Sequence, residues 1–134
     1  NRNSGMALDV VGAGTGNGTL VDQWPYGGNS NQKWTVTGLG SGQFEIVGVG
    51  SGKSLDVSGA KSANGTAIDV YTYSGNSNQK WILTATTNGY FVISPVLATG
   101  SCVDVPGNST TQGTDLNLWN INNGNNQQWI FQAP

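Results

Sequence analysis

"NSNQKW" at Asn29–Trp34 is written again without change at Asn76–Trp81, and a looser copy, "NNQQW", ends at Trp129. A word that mixes a large aromatic with amides can serve a core, a site, or both. The three tryptophans, Trp34, Trp81 and Trp129, stand 47 and 48 residues apart. Upstream, "ALDV", "SLDV" and "CVDV" hold Asp9, Asp56 and Asp104 at the same two spacings. So do the aromatics Trp24, Tyr71 and Trp119, the acid-or-amide positions Asp22, Asp69 and Asn117, and the pairs Gly18-Thr19, Gly65-Thr66 and Gly113-Thr114. Several anchors sharing one period with a single inserted residue mark a true internal repeat, the feature to settle before any other. The units run about 1–47, 48–95 and 96–134.

One unit read for local structure gives strands. "FEIVGV" (Phe44–Val49) alternates apolar and polar residues, as a half-buried strand does. Glycines turn the chain into "SLDV" (Ser54–Val57), a short second strand. "SGAKSANG" is a loop, and "TAIDVYTY" (Thr66–Tyr73), β-branched and aromatic, is a third strand. "QKWILTAT" (Gln79–Thr86) is the fourth. No segment carries a helical stripe. About twelve strands in three units are too few for a propeller, so a closed threefold β architecture, which also removes sheet edges, is expected. Units two and three open with apolar strands, whereas unit one opens at "NRNSG", so its first strand is expected to be missing and the seam between the termini to be weak.

The 134 residues fit one domain with one hydrophobic core. Charged residues make up only 9%, Gly numbers 21, and yet there are five Trp, four Tyr and three Phe, an aromatic load that argues against disorder. Net charge is −2, and Arg2, Lys33, Lys53, Lys61 and Lys80 are the only bases. They make no patch that would neutralise phosphates, so nucleic acid is not an expected partner. No apolar run approaches the ~20 residues of a membrane-spanning helix, so no membrane partner is expected either. No basic-plus-apolar leader opens the chain, which reads as a mature or excised piece. There is no His, which removes Ser-His-Asp and Cys-His catalysis and the commonest zinc ligand. The one cysteine, Cys102, reads as a small buried thiol. No metal and no cofactor are expected.

Five of the seven acids fall on the two repeated acidic positions, more than solubility asks of so uncharged a chain. Sugar binding offers a physical reason. A carboxylate accepts hydrogen bonds from neighbouring hydroxyls of a pyranose, and an Asn amide both donates and accepts. An aromatic face stacks on the ring's C–H patch. Each unit supplies that kit: Asp9, Asp22, Trp24 and Asn31; Asp56, Asp69, Tyr71 and Asn78; Asp104, Asn117, Trp119 and Asn126. The plainer readings are that the three Asp cap turns, that Trp24, Tyr71 and Trp119 are core, and that the Asn residues simply occupy turns that favour Asn. Trp34, Trp81 and Trp129 read as core, as do Leu8, Leu55, Val103, Val10, Val57 and Val105, by alternation around an outward Asp.

Threefold units with "LDV" early and Q-x-W late (Gln32-Lys33-Trp34, Gln79-Lys80-Trp81, Gln127-Gln128-Trp129) resemble the ricin-B-type lectins, also called carbohydrate-binding module family 13, along essentially the whole chain. The resemblance implies a β-trefoil with pseudo-threefold symmetry and up to three non-catalytic sugar sites. It implies that the LDV-type Asp and the Asn before the Q-x-W bind hydroxyls, that the aromatic stacks, and that Asp22, Asp69 and Asn117 support or contact the ligand. Gln32, Gln79 and Gln127 then orient the Asp. It further implies a secreted protein, an oligosaccharide or polysaccharide partner of galactose or xylose type, and a covalently linked glycoside hydrolase domain. A monomer is expected, with a free-standing lectin or toxin-type subunit as the alternative. Members often carry a disulfide in each unit. The matching positions here are Ala7 with Tyr26, Ser54 with Tyr73, and Cys102 with Ile121, so packing of Tyr26, Tyr73 and Ile121 is expected to replace the crosslinks. An enzyme would need two carboxylates at a fixed separation. Asp9 with Asp22 and Asp56 with Asp69 qualify formally, but the pairing repeats with the fold and breaks at Asn117, so no catalysis is expected.

Overall fold

A computed structural model describes residues Asn1–Pro134. It is all β, with twelve strands and, between them, single turns of 3₁₀ helix. Unit one holds β1 (Ala7–Val10), β2 (Thr19–Trp24) and β3 (Trp34–Gly40). Unit two holds β4 (Gln43–Gly48), β5 (Ser54–Val57), β6 (Ile68–Tyr71) and β7 (Trp81–Ala85). Unit three holds β8 (Tyr90–Pro95), β9 (Ser101–Asp104), β10 (Thr114–Asp115), β11 (Asn117–Asn120) and β12 (Trp129–Ile130). In unit three, β10 and β11 are the two halves of the strand that runs unbroken as β2 in unit one. The sequence-predicted strands stand: Ser54–Val57 keeps its bounds, the first is shifted by one residue, and the other two are shorter, the third running Ile68–Tyr71 and Gln79 lying in a 3₁₀ turn ahead of β7.

Each unit folds a hairpin, β1–β2, β5–β6 and β9–β11. The second strands of these hairpins pair with one another around the threefold axis: Thr19 opposite Val70, Ala67 opposite Asn117, and Thr114 opposite Gln23. Their inward side chains fill the core in triplets. Val10, Val57 and Val105 form one, and Val21, Ile68 and Leu116 another. Leu55 and Val103 are fully buried, while their counterpart Leu8 is partly buried and packs against the core. A third triplet is mixed, because the counterpart of Val70 and Leu118 is Gln23, fully buried. An amide at that depth needs partners. Gln23 Nε2 donates to Ser109 O and Thr111 O, both at 3.0 Å, and its Oε1 accepts from Ser4 Oγ at 2.7 Å. It thereby ties unit one to the unit-three loop and to the amino-terminal turn.

Longer hairpins, β3–β4 and β7–β8, make the wall, with β12 added beside β8. Three equivalent backbone bonds join the units: Val49 N to Lys33 O, Val96 N to Lys80 O, and Arg2 N to Gln128 O, each 2.8 Å. The last closes the ring between the two ends of the chain. Asn1 Nδ2 adds bonds to Asn126 O and Gln128 O, and Arg2 reaches Thr87 Oγ1 and Gln128 Oε1 while its guanidinium lies over the Tyr90 ring, 5.0 Å from its centre.

Three core expectations need correcting. Trp81 and Trp129 are buried, but Trp34 is only partly so. Trp81 has Phe44, and Trp129 has Phe91, paired beside it across the sheet, whereas Trp34 is paired only with Gly48 and has no phenylalanine beside it. The LDV-type Asp residues do not face solvent: Asp9, Asp56 and Asp104 are 5%, 3% and 4% exposed. Alternation does turn them away from the core, but the loop carrying the Asn and Gln folds over that face and roofs it. Finally, Tyr26, Tyr73 and Ile121 are exposed, so they do not substitute for crosslinks by packing inward.

Candidate functional site

Hairpin register places the site residues. On β1–β2, Asp9 lies opposite Asp22 and Ala7 opposite Trp24. On β5–β6, Asp56 lies opposite Asp69 and Ser54 opposite Tyr71, and on β9–β11 Asp104 lies opposite Asn117 and Cys102 opposite Trp119. Period 2 then sets the Asp pair and the aromatic on the same outer face of each hairpin.

The repeated word supplies the rest. Asn31, Asn78 and Asn126 sit in 3₁₀ turns and donate Nδ2–H to Asp9, Asp56 and Asp104 Oδ1 at 2.8, 2.8 and 2.9 Å. The same amide nitrogens donate to the next carbonyls, Val10, Val57 and Val105 O. The glutamine is a loop clamp. Gln32 bridges Pro25 O and Gly27 N, Gln79 bridges Thr72 O and Ser74 N, and Gln127 bridges Asn120 O and Asn122 N. Each clamp holds the residues just after the exposed aromatic. In unit three Gln127 Nε2 also donates to Asp104 Oδ1 at 3.0 Å. The tryptophan indole closes the unit: Trp34, Trp81 and Trp129 Nε1–H donate to Leu8, Leu55 and Val103 O at 3.1, 3.1 and 3.3 Å. In unit three, Gly124 stands against the clamp, where a Cβ would come within 2.5 Å of Asn126 Oδ1 and 2.9 Å of Asn122 Oδ1.

Trp24, Tyr71 and Trp119 are 41%, 47% and 42% exposed, so they are not core. Beside them lie buried oxygens without a partner: Oδ1 of Asp22, of Asp69, of Asn117 and of Asn126. Three of these four are the same position in successive units. A buried acceptor left open costs free energy unless something arrives to donate to it. In unit three these groups line a pocket of about 380 Å³, bounded by Asp104, Asn117, Trp119 and Asn126 with Pro106, Gly107, Asn108 and Asn122. That volume lies within the range of small-ligand sites, about 300–1,000 Å³. A second concavity, of about 390 Å³, is lined by Ser58, Lys61, Asn64, Gly65, Thr66 and Ala67 and contains none of the kit residues of unit two.

Sequence reading missed the pocket wall of Pro106, Gly107 and Asn108. Its signal was present: Gly12-Ala13, Gly59-Ala60 and Gly107-Asn108 repeat at the 47 and 48 spacing, and all six have positive φ between 52° and 62°. Ala in that region is strained, and such strain is typical of site loops.

Electrostatically the sites are acidic, with no basic side chain to offset them. Burial pushes Asp9, Asp69 and Asp104 up from the ordinary carboxylate range. Asp22 is pushed up to about 7, by burial first and then by Asp9 and Asp115. Asp56 rises to about 8, by burial and by Asp69. Cys102 is pushed up to about 12 by burial and by Asp104, an inert buried thiol.

The family described as ricin-type beta-trefoil lectin domain matches residues 1–129, and the chain belongs to it. Membership implies carbohydrate binding. Among solved structures the chain is similar to a designed threefold-symmetric protein, ThreeFoil, with 39% identity and a TM-score of 0.93 over 96% of this chain and 91% of that one. It is also similar to an exo-β-1,3-galactanase from Clostridium thermocellum, with 35% identity and a TM-score of 0.93, covering 97% of this chain but only 28% of the enzyme. A Macrolepiota procera ricin B-like lectin in complex with lactose shares 26% identity at a TM-score of 0.85, covering 100% and 91% of the two chains. No curated protein matches the chain.

Proposed function

We propose that this domain binds a galactose- or xylose-type oligosaccharide or polysaccharide at up to three equivalent sites and performs no chemistry on it. The observation that carries this reading is the conjunction, in each unit, of an exposed aromatic with a buried, unpartnered Oδ1 two residues earlier on the same strand, at Asp22, Asp69 and Asn117. The aromatic face takes the apolar side of a sugar ring. The Asp oxygens and the Asn amide receive and give hydrogen bonds to its hydroxyls. The Asn and Gln bonds fix the Asp before the sugar arrives, which lowers the ordering cost of binding.

Such sites are shallow, so each is weak, and a polymer that reaches several gains by effective concentration. That logic suits a module of the carbohydrate-binding type appended to a secreted polysaccharide-degrading enzyme, acting as a monomer outside the cell. The similarity to a domain that makes up 28% of a galactanase supports it. A free-standing lectin is the second reading, supported by the 91% coverage of the Macrolepiota lectin.

Affinity gels of galactan, xylan and immobilised lactose test the sites, with Asp9→Ala, Asp56→Ala and Asp104→Ala made singly and together. Stepwise loss of retention is expected. Undiminished retention of the triple variant on every gel that holds the parent would contradict it.

A further inference from the structure

We infer that the facing carboxylates of units one and two, Asp9 with Asp22 and Asp56 with Asp69, each share one proton at neutral pH, and that this proton makes the first two sites equivalent to the third. The inference rests on the sugar-binding reading above and concerns how the same sites are regulated.

The geometry begins with register. Each pair is directly opposite across its hairpin, where like charges destabilise a sheet. All four carboxyl groups are 5% exposed or less. The groups that face Asp22 are Asp9 from β1 and Asp115 from β10, both acids. Those that face Asp69 are Asp56 from β5 and, from β2, the uncharged Leu20. No basic group neutralises either pair. Two buried carboxylates so placed cannot both ionise without a large cost, so one proton is retained between them, as in other close carboxyl dyads.

Unit three shows what that proton replaces. At the position of Asp22 and Asp69 it carries Asn117, whose amide is a neutral donor and acceptor opposite Asp104. A protonated Asp presents the same set, one O–H to give and one carbonyl oxygen to receive. In both pairs Asp9 and Asp56 already accept N–H bonds from Asn31 and Asn78, which favours their anionic form. In the first pair the shared proton is then donated from Asp22 towards Asp9, and in the second it is held between Asp56 and Asp69. The remaining Oδ1, buried and unpartnered, stays available to a sugar hydroxyl.

It follows that the three sites differ in pH response. Losing the shared proton puts a second negative charge on sites one and two and removes the donor that holds the pair together. Directions agree with this: burial and the facing acid hold Asp22 up to about 7 and Asp56 up to about 8. At pH 9 the proton-bearing fraction falls to roughly one hundredth and one tenth for such values, and affinity at those sites falls in proportion. Site three, with Asn117, keeps its affinity over the same range.

Two measurements on the full chain test this. Carbon-13 detected titration of the Asp carboxyls is expected to show one group of each pair titrating above pH 6, and Asp22→Asn or Asp69→Asn to lower its partner towards the behaviour of Asp104, which already faces Asn117. All four carboxyls titrating below pH 5 would overturn the inference. In an Asp104→Ala background, which silences site three, retention on immobilised lactose is expected to drop at least tenfold between pH 6 and 9. Adding Asp22→Asn and Asp69→Asn should abolish that dependence. Retention independent of pH in the parent background would overturn the coupling. The Asn1 ammonium, lowered to about 6 by burial, also titrates nearby, and the Asn variants separate its effect because they leave it in place. No retention on lactose by any variant or by the parent at any pH, with xylan and galactan equally blank, would instead sink the sugar-binding reading, while the carboxyl titration still decides the proton.

Discussion

Asn126 is the residue on which the third site turns. Its Nδ2 holds Asp104 and Val105 O, and its Oδ1 is buried with no partner. Replacing it with Ala removes a donor from a buried carboxylate, a loss of about 1.5–3 kcal/mol for a bond to a charged group. Calorimetric titration of Asn126→Ala with an oligosaccharide is expected to show site three weakened at least tenfold and the others unchanged. Gly124→Ala should weaken the same site without removing any of its polar groups, because the added Cβ would displace Asn126 Oδ1 and Asn122 Oδ1. Stability also carries a residue-scale signature. Asp22 and Asp56 have folded pKa values of about 7 and about 8, above the ordinary ~4 of an unfolded chain. Raised acids bind protons in the folded state that the unfolded state has released. Their contribution is therefore full below pH 4 and is lost as pH rises towards 8. The Asn1 ammonium works in the opposite sense between 6 and 8, as one group against two pairs. The melting temperature is expected to fall by about 5–10 °C from pH 5 to pH 8.5. Calorimetric scans across that range check it, and a flat or rising profile would contradict it.

Elements are held by the repeated word more than by strand propensity. In unit two, Gln79 takes Thr72 O, Ser74 N and Ser74 Oγ with one side chain, and so fixes the turn after Tyr71. Gln79→Ala is expected to lower stability by about 1–3 kcal/mol and to speed hydrogen exchange at the Ser74 amide, with Tyr71 loosened in consequence. Much at this scale was legible in the sequence. A period held by several anchors dictated three copies, and alternation dictated the hairpin strands. What escaped has physical causes. Alternation says which face a residue takes but not whether that face is roofed, so Asp9, Asp56 and Asp104 read as outward when a loop covers them. Gln reads as a polar surface residue, so the clamps looked like partners of the Asp alone. Gln23, a polar residue, takes the core position that Val70 and Leu118 fill in the other units. Gln23→Leu is expected to destabilise the protein, despite matching its counterpart in unit three, because Ser109 O, Thr111 O and Ser4 Oγ lose their partner. A higher melting temperature in that variant would show the amide to be expendable.

Across the whole molecule the threefold plan sets both the core and the arrangement of sites. Inward residues of the three hairpins meet at the axis, and their outer faces therefore look away from one another. One rigid body then presents the three candidate sites in fixed directions, and on the proposed reading a polymer that reaches more than one of them would gain by effective concentration. Symmetry is least complete around unit one, where Leu8 and Trp34 are partly buried while their counterparts are fully so. Arg2 and Asn1 join the two ends there by hydrogen bonds in place of apolar packing. The site residues predicted from the repeat are brought together in each unit by hairpin register and by the Asn turn. Their role in sugar binding is the central claim, and one experiment bears on it most directly. Proton–nitrogen correlation spectra of the labelled chain would be followed during titration with lactose and with xylo-oligosaccharide. The expected result is saturable movement of the Asn31, Asn78 and Asn126 side-chain amides and of the backbone amides of Trp24, Tyr71 and Trp119, with the Gln23 amide still. Saturable binding that moves other surfaces and leaves these six residues unshifted would contradict it.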